Sequence, residues 1–189
     1  FFLCSCFSKV LALPFIGILF LTDYLFNKPL LNKGSIMIKL PFIFIGILFS
    51  FISLYFRSSQ NAFPNYDYHP LFLVPNQLTW YIKKAIFPFN LGVLYDWPTF
   101  FSQGNLYVAL FILGLLLFLF FKYKKNKLFR FGLLFYGCNI ILHTSIFSVF
   151  LAPYADRYAY LSTVGLWVAL GALFKKPTKA ILVTSFGLI

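Results

Sequence analysis

Charge is scarce in this sequence of 189 residues, and negative charge is the scarcest kind. Charged residues make up 11% of the chain, glutamate is absent, and four aspartates stand against sixteen lysines and arginines. A soluble domain carries about a quarter charged residues. Together with 61% hydrophobic residues and a mean hydropathy of +0.85, this scarcity excludes a soluble globular domain, a disordered tail and a secreted disulfide-rich domain. It predicts an integral membrane protein with several spans.

The sequence also lacks the patterns of a metal site, a disulfide framework and a phosphate-binding loop. Its three cysteines, Cys4, Cys6 and Cys138, lie in apolar stretches and have neither metal-ligand nor disulfide spacing. It contains no glycine-rich phosphate loop and no serine nucleophile elbow. We therefore predict no metal and no cofactor.

The net charge of +12 would suggest a nucleic-acid partner in a soluble protein. In a membrane protein, short cytoplasmic loops rich in lysine and arginine produce the same excess. Nucleic-acid binding also requires a basic face on a folded module, and the pattern shows none. Membrane lipids, not nucleic acid, are the expected partners.

Runs of about twenty apolar residues predict the membrane-spanning helices. Five complete spans are predicted at residues 10–26, 40–56, 106–121, 131–152 and 160–174. A sixth starts near Ala180. The predicted fold class is therefore all-α, a multi-pass transmembrane bundle, with residues 1–189 forming part of one polytopic membrane domain. Because the chain starts at Phe1 and its one methionine is Met37, we expect an internal fragment of a longer protein.

Positive charge is concentrated in alternate loops. Loops 27–39, 122–130 and 175–179 hold eleven of the sixteen basic residues, and the positive-inside rule assigns all three to the cytoplasm. Loops 57–105 and 153–158 then face outside. Within the large outer loop 57–105, the apolar stretch 70–89 predicts one or two helices lying on the outer membrane surface, with Trp80 near the headgroups.

The segment between the fourth and fifth predicted spans is the first candidate site. Asp156, Arg157 and Tyr158 place an acid, a base and an aromatic ring at the outer membrane surface. The planar guanidinium of arginine suits a phosphate group, such as that of a lipid-linked donor. Alternatively, Asp156 and Arg157 pair to cap the fifth span, and Tyr158 belongs to the interfacial aromatic belt.

Two further candidate clusters lie in the outer loop. Asp67 and His69 could perform acid–base chemistry, or they form a polar turn before a surface helix. Asp96 could contact an acceptor hydroxyl while Trp97 stacks on a sugar ring, or the pair forms an Asx-type turn anchored at the interface. Lys84 could attract an anionic lipid phosphate, or its side chain snorkels from a surface helix.

The fourth predicted span contains polar residues that could serve function or packing. Asn139, His143 and Thr144 lie in this otherwise apolar run. Intramembrane polar residues indicate function, but the same side chains also form hydrogen bonds between helices. Asp23, in the first span, is expected at the inner membrane interface.

Three scattered motifs resemble one family of membrane enzymes. The most specific is Ala155-Asp156-Arg157-Tyr158, followed by Tyr160-Leu161 and, four residues on, Gly165. The others are Ser8-Lys9 before Leu13-Pro14 and Asp23-Tyr24, and the outer residues Tyr81, Lys84, Pro88, Leu91 and Asp96-Trp97. Together they resemble the transmembrane and TPR-containing O-mannosyltransferases and their bacterial relatives, which are similar to GT-C-type glycosyltransferases.

This resemblance implies an enzyme that moves a sugar from a polyprenyl- or dolichyl-phosphate donor to a protein or glycan hydroxyl outside the membrane. It implies that Arg157 contacts the donor phosphate, that Asp156 orients it, and that Asp96 and Trp97 lie near the acceptor. The catalytic acids of such enzymes are expected upstream of Phe1 and the TPR repeats after Ile189, so the chain would not act alone. The expected location is a bacterial inner membrane, or the ER membrane in a eukaryote.

Two alternatives stay open. One is a polysaccharide polymerase or ligase of similar fold, and the other is a transporter or a non-catalytic membrane scaffold. A transporter predicts discontinuous spans and polar residues at the bilayer midplane, whereas a glycosyltransferase predicts functional residues gathered on one face.

Overall fold

The structure is a computed structural model that describes residues 1–8, 12–30, 32–59, 70–89, 91–92, 103–144 and 156–174. All regular secondary structure in these residues is helical, which confirms the all-α class. The described residues form seven α-helices: α1 Phe2–Ser8, α2 Pro14–Leu25, α3 Lys33–Ser59, α4 Pro70–Ile86, α5 Gln103–Lys122, α6 Lys127–Ile140 and α7 Asp156–Leu173.

Local signals account for two of the helix starts. Pro14 occupies the first turn of α2, where its missing N–H costs nothing and its fixed φ suits a helix. Asn126 caps α6, because its side-chain oxygen accepts the N–H of Phe129 at 3.1 Å. The amide group of the same side chain donates to the carbonyl of Ala172 at 2.7 Å. Asn126 therefore joins the start of α6 to the end of α7.

The antiparallel helices α6 and α7 form the most extensive helix–helix contact of the fold. Small residues allow their backbones to approach closely. A Cβ atom built on Gly132 would lie 2.5 Å from the carbonyl oxygen of Gly165, and one built on Gly165 would lie 2.5 Å from that of Gly132. The buried face of α7 also includes Ala159, Ser162 and Ala169, which recur at helical spacing.

Helix α4 packs into this core as well as occupying the predicted outer segment. Tyr81 and Ile82 are buried in one cluster with Tyr136 and Ile140 of α6 and with two residues of α7. The hydroxyl of Tyr136 donates to the carbonyl of Leu78 at 2.7 Å. The prediction of a helix within 70–89 is thus confirmed, and one face of that helix packs against the other helices.

The fourth predicted span differs most from the structure. An α-helix through residue 152 was expected, but α6 ends at Ile140, a short 3₁₀ helix covers Ile141–His143, and Thr144 has extended backbone. Asn139, His143 and Thr144 each bond a main-chain carbonyl three or four residues earlier. Such local bonds compete with a regular helix. Residues 145–152 and the predicted sixth span lie outside the described residues.

One helix of the described part is long and apolar enough to cross a membrane. It is the 21-residue segment Lys33–Ser53 of α3, near the N-terminus of the chain. The apolar segments Pro14–Leu25, Leu106–Lys122 and Ala159–Leu173 are shorter. One helix therefore qualifies as a candidate span by its length and composition alone, and the multi-pass arrangement stays a prediction.

Candidate functional site

The structure describes the side chains of two predicted site residues, Asp156 and Lys84. Arg157 and Tyr158 lie in the first turn of α7, and their side chains are outside the description. The remaining candidates fall outside the described residues altogether: Asp67, His69, Asp96 and Trp97.

Asp156 is the first residue of α7, and it holds a distant part of the chain. Its Oδ2 accepts the main-chain N–H of Gly92 at 2.6 Å. A carboxylate in the first helical turn is also stabilised by the positive end of the helix dipole. Asp156 therefore joins the segment that follows α4 to the start of α7, directly beside Arg157.

Lys84 holds the other end of that short segment. It lies in the last turn of α4, and its Nζ donates to the carbonyl of Phe89 at 2.5 Å. The same Nζ lies 5.4 Å from the centre of the Trp80 ring. Two predicted site residues, Lys84 and Asp156, thus contact the residues that follow α4: Lys84 binds Phe89, and Asp156 joins Gly92 to the start of α7.

A cluster that sequence reasoning missed joins α2 to α3. Lys39 is 5% exposed, and its Nζ forms an ion pair with the carboxylate of Asp23 and lies 4.4 Å from the centre of the Phe20 ring. The hydroxyl of Ser35 donates to Asp23 at 2.7 Å and accepts from Lys39 at 2.6 Å. The available signal was position, since Asp23 lies near the end of α2 and Lys39 lies in the second turn of α3, the next helix.

Arg130 of α6 is a second cation that sequence reasoning missed. Its guanidinium carbon lies 4.6 Å from the centre of the Phe120 ring and 5.6 Å from that of Tyr24, which are favourable cation–π distances. Its Nε is buried and has no hydrogen-bond acceptor among the described residues. Arg130 therefore joins α2, α5 and α6 through ring contacts.

These contacts bring together one end of several helices. Arg130 joins the end of α2 to the start of α6, Asn126 joins the start of α6 to the end of α7, and Lys39 joins the start of α3 to Asp23. We name this region, formed by the ends of α2, α5 and α7 and the starts of α3 and α6, the basic end. Asp156 and Gly92 lie at the opposite end, so the chain segregates its basic turns from its predicted site.

A cavity of about 350 Å³ opens between α1, α2, α6 and α7. Its walls are mostly aromatic and aliphatic, and Asn139 contributes a polar group. The side-chain Oδ1 of Asn139 is buried and lacks a hydrogen-bond partner in the described part of the chain. The cavity suits an apolar molecule, and neither Asp156 nor Lys84 is among the described residues that line it.

Cysteine, histidine and acidic residues do not form a metal-binding group anywhere in the described ranges. Cys4 is exposed, Cys6 is buried and Cys138 is half-buried, and all three are free thiols. Comparison with protein-family models, with curated proteins and with solved structures finds no match for this chain.

Proposed function

We propose that this chain is part of a GT-C-like membrane glycosyltransferase, which moves a sugar from a polyprenyl- or dolichyl-phosphate donor to a protein or glycan hydroxyl on the extracytoplasmic side. The observation that carries the proposal is the grouping at the end opposite the basic end. There Asp156 binds Gly92 and Lys84 binds Phe89, and Arg157 follows Asp156 in the same helical turn.

Exposed apolar surface supports the membrane location that this function requires. Met37, Phe44 and Phe51 of α3 are exposed along its length, and so are Tyr107, Phe111 and Phe118 of α5. Continuous apolar surface of this extent is unfavourable in water and marks a membrane or protein interface. Lipid contact on α2, α3, α5, α6 and α7 gives the multi-pass bundle of the proposal.

In the proposed site, each candidate residue has a separate task. Arg157 binds the donor phosphate through its planar guanidinium. Asp156 fixes the start of α7 by accepting the Gly92 N–H, which orients its neighbour Arg157. Asp96 follows Gly92 by four residues, and four residues of extended chain span at most about 14 Å. This length is compatible with the proposed contact of Asp96 and Trp97 with the acceptor, and the proposed catalytic base comes from another part of the protein.

The test measures transfer from a polyprenyl-phosphate sugar in membranes that contain the whole protein. We expect Arg157→Ala to lower transfer by roughly one to two decades, because a hydrogen bond to a charged group contributes about 1.5–3 kcal/mol. Arg157→Lys should recover part of the rate, because a point charge cannot make the bidentate contact. Lys83→Ala is the matched control, since it removes an exposed cation from α4.

The capping alternative makes a different forecast. If Arg157 serves only the start of α7, Arg157→Ala and Asp156→Ala should lower protein level and thermal stability to a similar degree. Normal transfer by a well-folded Arg157→Ala protein would remove Arg157 from the site. A polymerase or ligase would use the same donor chemistry and differ in its acceptor, so acceptor competition separates it from the protein transferase.

One observation favours the transporter alternative. Helix α6 ends at Ile140, and the residues around that end include buried Asn139, His143 and Thr144. Transporter sites are typically formed by interrupted helices with polar groups near the bilayer midplane. If the protein is a transporter, His143→Ala should abolish solute flux into proteoliposomes. Neither the unmodified protein nor the variant should then transfer sugar. Transfer activity unaffected by His143→Ala supports the glycosyltransferase instead.

A further inference from the structure

The environment of Arg130 is electrostatically incomplete. Its guanidinium lies between the rings of Phe120 and Tyr24, and its buried Nε has no acceptor among the described residues. Aromatic faces attract a cation but do not accept the directed N–H bonds of a guanidinium as an anion does. A buried donor without a partner calls for an explanation, and a bound anion would supply one.

The uncompensated charges at the basic end are of one sign. Exposed lysines occupy the turns that meet at the basic end: Lys28, Lys33, Lys122, Lys124, Lys125 and Lys127. The acid at this end in the described part, Asp23, is already engaged by Lys39 and Ser35. Arg130 also lies in the first turn of α6, where the helix dipole adds positive potential. The basic end thus attracts an anion that the described residues do not provide.

The surface beside Arg130 is apolar as well as basic. Phe26, Phe121 and Leu128 are exposed, and each lies within two residues along the chain of Tyr24, Phe120 or Arg130. Nζ of Lys122 lies 5.8 Å from the centres of the Phe118 and Tyr123 rings. A freely dissolved anion would gain nothing from this apolar border. A phospholipid would satisfy both parts, with its phosphate at Arg130 and its acyl chains along α5.

We propose that Arg130 and the surrounding lysines bind the headgroup phosphate of an anionic phospholipid in the cytoplasmic leaflet. Basic pockets between transmembrane helices on this side are suited to such headgroups. Arg130 supplies the directed, partly buried contact, while the lysines add attraction that salt screens. The site is independent of sugar transfer and lies at the opposite end from Arg157.

The test compares phosphatidylglycerol with phosphatidylcholine of identical acyl chains, bound to the purified protein and measured by native mass spectrometry. We expect preferential retention of phosphatidylglycerol, with Arg130→Ala lowering its affinity about tenfold and Arg130→Lys lowering it less. Lys124→Gln should lower it about threefold to fivefold, more at low salt than at high salt. Lys83→Ala, which removes a lysine outside the basic end, should change nothing.

Three outcomes would overturn the proposal. Equal retention of both lipids would show that the site does not select a headgroup of net negative charge. Displacement of phosphatidylglycerol by equimolar inorganic phosphate would identify a site for small dissolved anions instead. The third outcome is that Arg130→Ala leaves the affinity for phosphatidylglycerol unchanged and lowers the thermal stability equally in phosphatidylglycerol and in phosphatidylcholine. That result would reduce Arg130 to a structural contact between α2, α5 and α6.

Discussion

Lys39 and Arg130 lie between helices of the described part, and they are stabilised in different ways. Lys39 has a carboxylate, a hydroxyl and an aromatic face around its ammonium group, whereas Arg130 has two aromatic faces. Removing one partner of a buried pair leaves an uncompensated charge, while removing both partners together costs far less. The Lys39 cluster is therefore the better place to measure what a paired charge contributes to stability.

The first prediction concerns this ion pair. Asp23→Asn should lower the melting temperature by several degrees, because it leaves the ammonium of Lys39, which is 5% exposed, without its counter-charge. Lys39→Met should lower it less, because the Asp23 side chain is 18% exposed and water can solvate it. Thermal unfolding of the detergent-solubilised protein measures both variants.

The double variant Asp23→Asn/Lys39→Met provides the control. It should be more stable than Asp23→Asn alone, giving a coupling between the two positions in a double-mutant cycle. Strictly additive effects would contradict a direct ion pair and would leave α2 and α3 held by the apolar contacts of the hairpin.

At the scale of helices, the crossing of α6 and α7 depends on two glycines. Gly165→Ala should destabilise the protein by about 1–3 kcal/mol, the usual cost of overpacking. The reason is that its Cβ would meet the carbonyl oxygen of Gly132 at 2.5 Å and the main-chain nitrogen of Tyr136 at 2.7 Å. Backbone atoms cannot move aside as the end of a flexible side chain can, so the helices must separate.

A matched variant exists in the same helix. A Cβ on Gly171 meets nothing within 4 Å, so Gly171→Ala should be neutral or stabilise by up to about 1 kcal/mol. Equal stability of the Gly165→Ala and Gly171→Ala proteins would show that α6 and α7 do not cross as described. A destabilised Gly165→Ala protein would also show that Gly165, which belongs to the motif around Asp156, has a role in packing.

How well a helix could be predicted depended on what determines its ends. Residues 106–121 were predicted as a span, and α5 covers Gln103–Lys122, because apolar composition alone determines that helix. The end of α6 at Ile140 was missed because hydropathy does not register side chains such as His143 that bond the main chain. The Lys39–Asp23 pair and the Gly132–Gly165 contact were missed because they join residues on different helices, and the orientation of each helix is not encoded locally.

At the scale of the whole molecule, the chain segregates charge by end. Contacts of Arg130, Asn126 and Lys39 bring the turns after α2 and α5 and the end of α7 to one end. Sequence alone had assigned the same basic loops to one side of a membrane by charge. The contacts predict which helix ends meet, and the positive-inside rule predicts which side of the membrane these ends face. One labelling experiment can test both predictions.

The last prediction is this topology, read out by cysteine labelling in a background without Cys4, Cys6 and Cys138. Lys124→Cys and Lys33→Cys both lie at the basic end, and we expect an impermeant maleimide to label them only after the membrane is broken. Lys83→Cys, exposed on α4, should be labelled in intact cells. In the opposite orientation, eleven of the sixteen basic residues would lie in loops that face outward, which the positive-inside rule disfavours. Labelling of Lys124→Cys in intact cells would reverse the orientation, whereas labelling of Lys33→Cys and Lys124→Cys from different sides would contradict the meeting of the two turns itself.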